Sequence, residues 1–266
     1  MRALSISKPG QDCVNEDYAI ANTKVIAVSD GAGGGGIYAD KWSEYLVSSL
    51  PESPIRSFEE LDQWIENIWE LFYNDCEKMA KAAGGMVLNK FYDEGSFATL
   101  TAVWYKADKA CWIAYGDSVA FCYSPATGKL RHSFTSIADF CLPPYLINYK
   151  DELKIAGFRS GEFELREGDI IFCASDALSH YILMMYELAN CNEYADELQK
   201  AEKSGSKEAA FIKNASSIKI DFYNDVLKKL INCKNNYIFE RHLKRLYNNK
   251  LIALDDYSFA YKTVKL

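Results

Sequence analysis

The sequence is short of several things, and each shortage excludes a class. No apolar run reaches the roughly 18 residues of a membrane-spanning helix, so no span is expected. Positive charge is not in excess. Against 30 Lys and Arg stand 37 Asp and Glu, a formal net charge of −7, with a sequence pI of about 5.2. Non-specific nucleic-acid binding and anionic-membrane binding both need a positive field, so neither is expected. No CxxC pair occurs among the eight cysteines, and Cys111, Cys122 and Cys173 lie inside apolar runs. They read as reduced, mostly buried thiols of a cytoplasmic protein, without a disulfide framework or zinc site. The first residues, Met1 to Ser7, lack the apolar stretch of a signal peptide. There is no Pro/Gly/Ser-rich linker, repeat or low-complexity tract, and a single domain over residues 1–266 is expected. The three histidines, His132, His180 and His242, are isolated, and no Ser-His-Asp triad is evident. The Gly33–Gly36 run has neither a Gly-Lys-Ser/Thr ending nor GxGxxG spacing, which argues against nucleotide binding.

What is present is a chain that is 49% hydrophobic, enough to bury a large core. Val25 to Val28 is a short apolar run ending at Asp30-Gly31 and reads as a buried strand. Ile37 to Leu50 reads as a helix. Ser57-Phe58-Glu59-Glu60 is a capping-box pattern opening a long helix with apolar residues at Leu61, Ile65, Ile68, Phe72, Cys76 and Met79, stopped by Gly84-Gly85. Strands are expected at Phe97–Tyr105, Ala110–Tyr115, Val119–Tyr123, Leu130–Phe134, Glu162–Leu165 and Ile170–Ala174. From Ala177 to about Asn249 the pattern is helical, with Ile218, Phe222, Val226 and Leu230 spaced by four, and a last strand runs from Ser258 to Val264. This order predicts a layered α+β protein, not alternating βαβ units. The mixed charges Glu197, Lys200, Glu202, Lys203, Lys207 and Glu208 read as a solvated helix face. Trp64, Trp69 and Trp112 read as core.

Three short apolar strands meet an aspartate: Asp30 after Val28-Ser29, Asp176 after Ala174-Ser175, and Asp255 just before the last strand. A fourth, Asp117, lies between two strands. Carboxylates held close together repel one another unless a divalent cation neutralises them. Ligation by oxygen alone suits Mg²⁺ or Mn²⁺ better than Zn²⁺.

Six elements, taken in order, resemble the metal-dependent protein phosphatases of the protein phosphatase 2C, or PPM, type. They are Asn15-Glu16-Asp17, Val28-Ser29-Asp30-Gly31-Ala32-Gly33-Gly34, Gly95-Ser96-Phe97-Ala98-Thr99, Gly116-Asp117-Ser118, Ala174-Ser175-Asp176 and Asp255-Asp256-Tyr257-Ser258. The resemblance implies a four-layer α-β-β-α sandwich, with a central antiparallel β-sandwich flanked by helices and a metal site at one edge. It further implies that Asp30 bridges two Mn²⁺ or Mg²⁺ ions, that the Gly31 carbonyl binds one, and that Asp176 and Asp255 complete the pair. Glu16 and Asp17 would hold metal-bound waters, and Asp117 would help bind a third ion. A hydroxide bridging the ions would then attack phosphoserine or phosphothreonine of a protein substrate in line. Ser96 and Thr99 are expected to support the fold beside the site.

The sequence departs from the family's pattern at four places. Ala32 stands where a histidine, acting as general acid, is common. Asp12 stands where many members carry an arginine that grips substrate phosphate. Ala177 replaces a glycine, and the helical segment at about 177–250 is longer than in compact bacterial members. Two alternatives follow from these departures: a catalytically weak or inactive phosphatase-like binding or scaffold module, and a hydrolase of small phosphate esters.

Overall fold

The computed structural model describes residues 1–34, 36–205 and 209–265. The first third of the chain holds strands β1 (Arg2–Ile6), β2 (Tyr18–Ala21) and β3 (Val25–Ser29), then helices α1 (Ala39–Ser48), α2 (Phe58–Ala83) and α3 (Gly85–Asp93). The middle is strand-rich: β4 (Phe97–Ala98), β5 (Leu100–Lys106), β6 (Lys109–Tyr115), β7 (Val119–Ser124), β8 (Lys129–His132), β9 (Ile147–Asn148), β10 (Phe158–Glu164) and β11 (Ile170–Ala174). Helices α4 (Asp176–Ala189), α5 (Ala195–Lys203) and α6 (Ala209–Ala215) follow. A π-helical stretch Phe222–Leu227 then runs into α7 (Lys228–Ile231), followed by α8 (Asn236–Asn248) and the last strand, β12 (Tyr257–Thr263).

Two five-stranded sheets form, in the orders β1-β12-β11-β7-β8 and β10-β6-β5-β3-β2. Every ladder in them is antiparallel. Strand alternation explains how four layers arise. Along β11, Ile170, Phe172 and Ala174 join a cluster with α4 to α8, while Ile171 and Cys173 join a second cluster between the sheets. Along β3, Ile26 and Val28 face that same middle layer, and Val25 and Ala27 pack with α1 and α2. Toward the middle layer the strands β7, β11 and β12 present Ala120, Cys122, Ile171, Cys173 and Ala260, and toward the helices they present Phe121, Phe172 and Phe259. Both faces of the central strands are therefore buried, so they read as continuous apolar runs without alternation. The α-β-β-α sandwich expected from the motifs is the architecture observed.

Several local expectations change. Ser57 does cap α2, its hydroxyl accepting the Glu60 N–H at 3.2 Å, but the Glu60 carboxylate takes the Arg56 N–H (2.7 Å). Met79 is 40% exposed, and Ala80 takes its place in the core. Gly84 ends α2, yet α3 starts at once. Ile218 lies outside any helix and is exposed, whereas Phe222, Val226 and Leu230 are buried. Strands β1 and β2, not anticipated, close an edge of each sheet. Cys13, Cys141 and Cys191 are exposed, so only half of the eight thiols are buried as expected; none of them is paired. His132 and His242 are half-buried, and their desolvation pulls both below the usual imidazole range, His242 to about 4. Lys200, Glu202 and Lys203 face solvent as expected. Gly35, Lys207 and Glu208 lie outside the described residues. Among the described residues no helix is long and apolar enough to cross a membrane.

Candidate active site

The registers of the ladders bring the aspartates together. Ile6 pairs with Tyr257, Ala174 with both Phe259 and Val119, Tyr18 with Ser29, and Leu100 with Tyr115. The end of β1, the start of β2, the end of β3, the β6–β7 turn, the end of β11 and the start of β12 therefore share one edge of the sandwich. Those positions carry Lys8, Asp17, Asp30, Asp117, Asp176 and Asp255.

Hydroxyl groups fix the backbone at this edge. Thr99 interrupts the strand expected over 97–105. Its Oγ1 accepts the Asp30 N–H (3.1 Å) and lies 2.8 Å from Ser118 Oγ, and its carbonyl accepts the Ser29 hydroxyl (2.6 Å). The Thr99 N–H returns to the Asp30 carbonyl at 2.8 Å. Ser96 donates to the Ile37 carbonyl at 2.5 Å. Across the other sheet, Ser5 Oγ accepts from Asn15 (2.7 Å) and Ser258 (2.8 Å) and donates to the Asp17 carbonyl (3.1 Å). Ser175 Oγ accepts the Ser258 N–H at 3.0 Å. Gly116 turns the chain between β6 and β7 at φ +100°, and a Cβ there would stand 2.7 Å from Thr99 Cγ2. At Gly33 a Cβ would displace the Glu16 carboxylate, which accepts the Gly33 N–H at 3.2 Å.

The acids crowd one another. Burial raises the Asp30 carboxyl well above its ordinary value, and the charges of Asp17, Asp176, Asp117 and Asp255 add to the rise. Burial does the same to Asp176, with Asp117 and Asp255 next to it. Asp17 is 3% exposed. Burial pushes it up to about 8, against the pull of a hydrogen bond from Ser175 and with the help of Asp256 and Asp255. Burial lifts Asp117 to about 6, and the Arg159 guanidinium holds it back. Burial also raises Glu16, against the Gly33 hydrogen bond. Gly31 is buried, and its N–H donates to the Glu16 carbonyl at 3.1 Å.

A set of buried oxygens that repel one another is suited to a hard divalent cation, and its all-oxygen chemistry fits Mg²⁺ or Mn²⁺. The donors share the cleft without forming a finished cage. Among the described residues no three His, Cys, Asp or Glu side chains are already gathered around one metal position. Asp255 is held by Lys8, Nζ to Oδ1, at 3.2 Å. Asp176, the first residue of α4, is turned onto the Ala177 N–H.

Four residues here are not among the expected site residues. Lys8 is one. Asp256 is 5% exposed, and its two oxygens accept the N–H groups of Lys8 (2.9 Å) and Glu16 (2.8 Å). Arg159 donates to the Gly116 carbonyl and lies over the Phe134 ring at 4.9 Å. His180 lines a small cleft of about 70 Å³ with Asp176, Asp255, Ala177, Phe140 and Ala253. The signal for His180 was available: it lies four residues after Asp176 on a helix, hence on the same face. A groove of about 780 Å³ lies at the far edge of the sandwich by the β5–β6 hairpin, but it contains none of these acids.

No protein-family profile matches the sequence, and no curated protein does. Solved structures do match. Stp1 of Staphylococcus aureus, a serine/threonine phosphatase, aligns with a TM-score of 0.55 at 12% identity, over 99% of this chain and 95% of the other. PppA of Pseudomonas aeruginosa aligns at 0.53 and 16% identity, over 99% and 97%. The serine/threonine phosphatase PstP/Ppp of Mycobacterium tuberculosis aligns at 0.51 and 14% identity, over 100% and 99%. At such identities the likeness is one of fold, and it extends over the whole chain. This chain has the fold of the protein phosphatase 2C-type serine/threonine phosphatases.

Proposed function

We propose that the protein is a divalent-metal-dependent phosphatase that removes phosphate from phosphoserine and phosphothreonine of protein substrates in the cytoplasm. One observation carries this reading: strand ends far apart in sequence deliver Asp17, Asp30, Asp117, Asp176 and Asp255 to one edge, where each of the first four is raised by burial. In this reading Asp30, Asp176 and Asp255 hold two Mn²⁺ or Mg²⁺ ions, with the Gly31 carbonyl as a further donor. Such ions, when bound, acidify the attacking water and offset charge on the phosphoryl group. Asp17 and Glu16 orient water around the ligands, since the Asp17 backbone is fixed through the Ser5 hydroxyl and the Glu16 carboxylate is itself held by the Gly33 N–H. Asp117 serves a third, weaker ion. The Thr99 and Ser118 hydroxyls keep the Asp30 backbone in place, so that the carboxylates do not have to reorganise during turnover.

A second reading is that of a phosphoprotein-binding module with little turnover. Two observations favour it: an alanine at position 32, two residues after Asp30, where the resembling family commonly has a histidine, and the Lys8 ammonium on Asp255. Hydrolysis of an aryl phosphate separates the readings. The phosphatase should turn over with Mn²⁺ and stop in excess chelator. No turnover with Mn²⁺ or Mg²⁺, or full turnover in chelator, would refute the metal-dependent enzyme.

A further inference from the structure

A dianionic phosphate ester that reaches this edge is drawn to the ions on one side only, and the surrounding acids give it no attraction on the other. Something at the rim has to supply positive charge to the part of the phosphate that faces away from the ligands. Among the described residues, two cationic side chains reach this edge. Arg159 lies on the Asp117 side, donates to the Gly116 carbonyl and is stacked on Phe134, so its position is fixed by those contacts. Lys8 lies on the Asp255 side. Its backbone is tied down, because its N–H donates to the buried Asp256 carboxylate at 2.9 Å. Its ammonium is 3.2 Å from Asp255 Oδ1, and the two side chains are 34% and 40% exposed. The pair is therefore open to a ligand from solvent, while the acids behind it are buried or half-buried. Asp12, four residues further along the same loop, is exposed and acidic and adds no attraction.

Resting on the phosphatase reading above, we propose that Lys8 is the residue that grips the substrate phosphate. An ammonium has three donors in a freely rotating head. One can remain on Asp255 while the others point to phosphoryl oxygens, so binding does not require the lysine to leave its partner. The fixed backbone at Lys8 limits how far the head can travel, and the Asp255 contact sets its direction. The same grip holds product, so inorganic phosphate should be a ligand of Lys8 as well.

The test uses the full chain with Mn²⁺ and three forms: wild type, Lys8→Gln and Lys8→Arg. Inorganic phosphate is titrated by calorimetry, and KM and kcat are measured separately on an aryl phosphate. Thermal melts check that all three fold. Loss of one charge-assisted contact should weaken phosphate binding in Lys8→Gln by about tenfold, raise KM to a similar extent and change kcat less. Lys8→Arg should stay within about threefold of wild type, since charge and reach are kept. Mn²⁺ affinity should hold or rise in Lys8→Gln, because Asp255 is freed from a competitor. Equal phosphate affinity in wild type and Lys8→Gln, or no phosphate binding by wild type, overturns the assignment. The titration decides this whether or not the protein turns over. Phosphate binding that depends on Lys8 without hydrolysis would retain the grip and reject the enzyme.

Discussion

Asp256 offers the clearest quantitative test of how the site is built. Its carboxylate is 5% exposed and accepts two backbone N–H groups, those of Lys8 at 2.9 Å and Glu16 at 2.8 Å. Each is a hydrogen bond to a charged acceptor, about 1.5–3 kcal/mol in net terms. Asp256→Ala removes both and leaves two N–H groups without a protein acceptor, a gross loss of about 3–6 kcal/mol. It also deletes one negative charge beside Asp17 and Glu16, which both feel Asp256. That relief offsets part of the loss, and about 2–4 kcal/mol of destabilisation remains, a large share of the roughly 5–15 kcal/mol typical of a folded protein. Asp256→Asn keeps one acceptor and sheds the charge, so it should fall between wild type and Ala. Urea denaturation reads the effect: at a slope of about 2–3 kcal/mol per molar, the midpoint of the Ala variant should drop by about 1 M. An unchanged midpoint in Asp256→Ala would show that the carboxylate does not brace the loop that carries Lys8 and Glu16.

Asp30→Asn should lose metal occupancy by calorimetry along with turnover; retention of both would remove Asp30 from the centre of the site. Thr99→Val keeps shape but leaves the Asp30 N–H without its acceptor and Ser118 without its partner. It should cost about 1–3 kcal/mol in a denaturant melt, and a melt equal to wild type would contradict the bracing role. Glu187, in the last turn of α4, is 4% exposed, and burial, then the charge of Glu197, pushes its carboxyl up to about 8. It is therefore protonated in the fold at neutral pH, and the associated stability is full below its unfolded value near 4.5 and lost as pH rises through about 8. Glu187→Gln should match wild type near pH 4 and exceed it at pH 9, with up to about 1.4 kcal/mol for each pH unit of the window. Parallel stability-versus-pH curves for the two proteins would refute the buried-acid account.

The fold was legible where local chemistry and tertiary packing agree. Val25–Val28 and Ile170–Ala174 are apolar at every position because sheet packs on one face and helix or sheet on the other, and both were found. The Ser57 cap and Gly84 stop bounded α2 for the same reason: a side-chain oxygen meets an orphan N–H, and a glycine takes φ +64°. Strand β2 was missed because all four of its residues are half-buried at a sheet edge, which leaves no pattern to read. Ile218 misled because a spacing of four assumes a regular α-helix. The π-helical stretch at Phe222–Leu227 starts after it, and the loop carries Ile218 into solvent. The thiols are less buried than expected because Cys13, Cys141 and Cys191 lie outside the strands and are exposed, unlike Cys122 and Cys173, which serve as small apolar residues between the sheets.

The site divides in the same way. The aspartates could be found because each sits where an apolar strand ends, a feature contained within about five residues of sequence. What acts on them could not be found, because it depends on register. Lys8 reaches Asp255 only because Ile6 pairs with Tyr257, at the two ends of the chain. Asp256 reads as the second half of a repeated acid, yet its neighbour faces the cleft while it turns inward to two N–H groups. Adjacent residues at the start of a strand point to opposite sides, so one aspartate is available for chemistry and the next for structure. The same alternation suggests why Asp12, in the exposed loop, has no counterpart of the Lys8 contact. A side chain there has no such partner to aim it, whereas Lys8, two residues past the end of β1, is held by its N–H on Asp256 and its ammonium on Asp255.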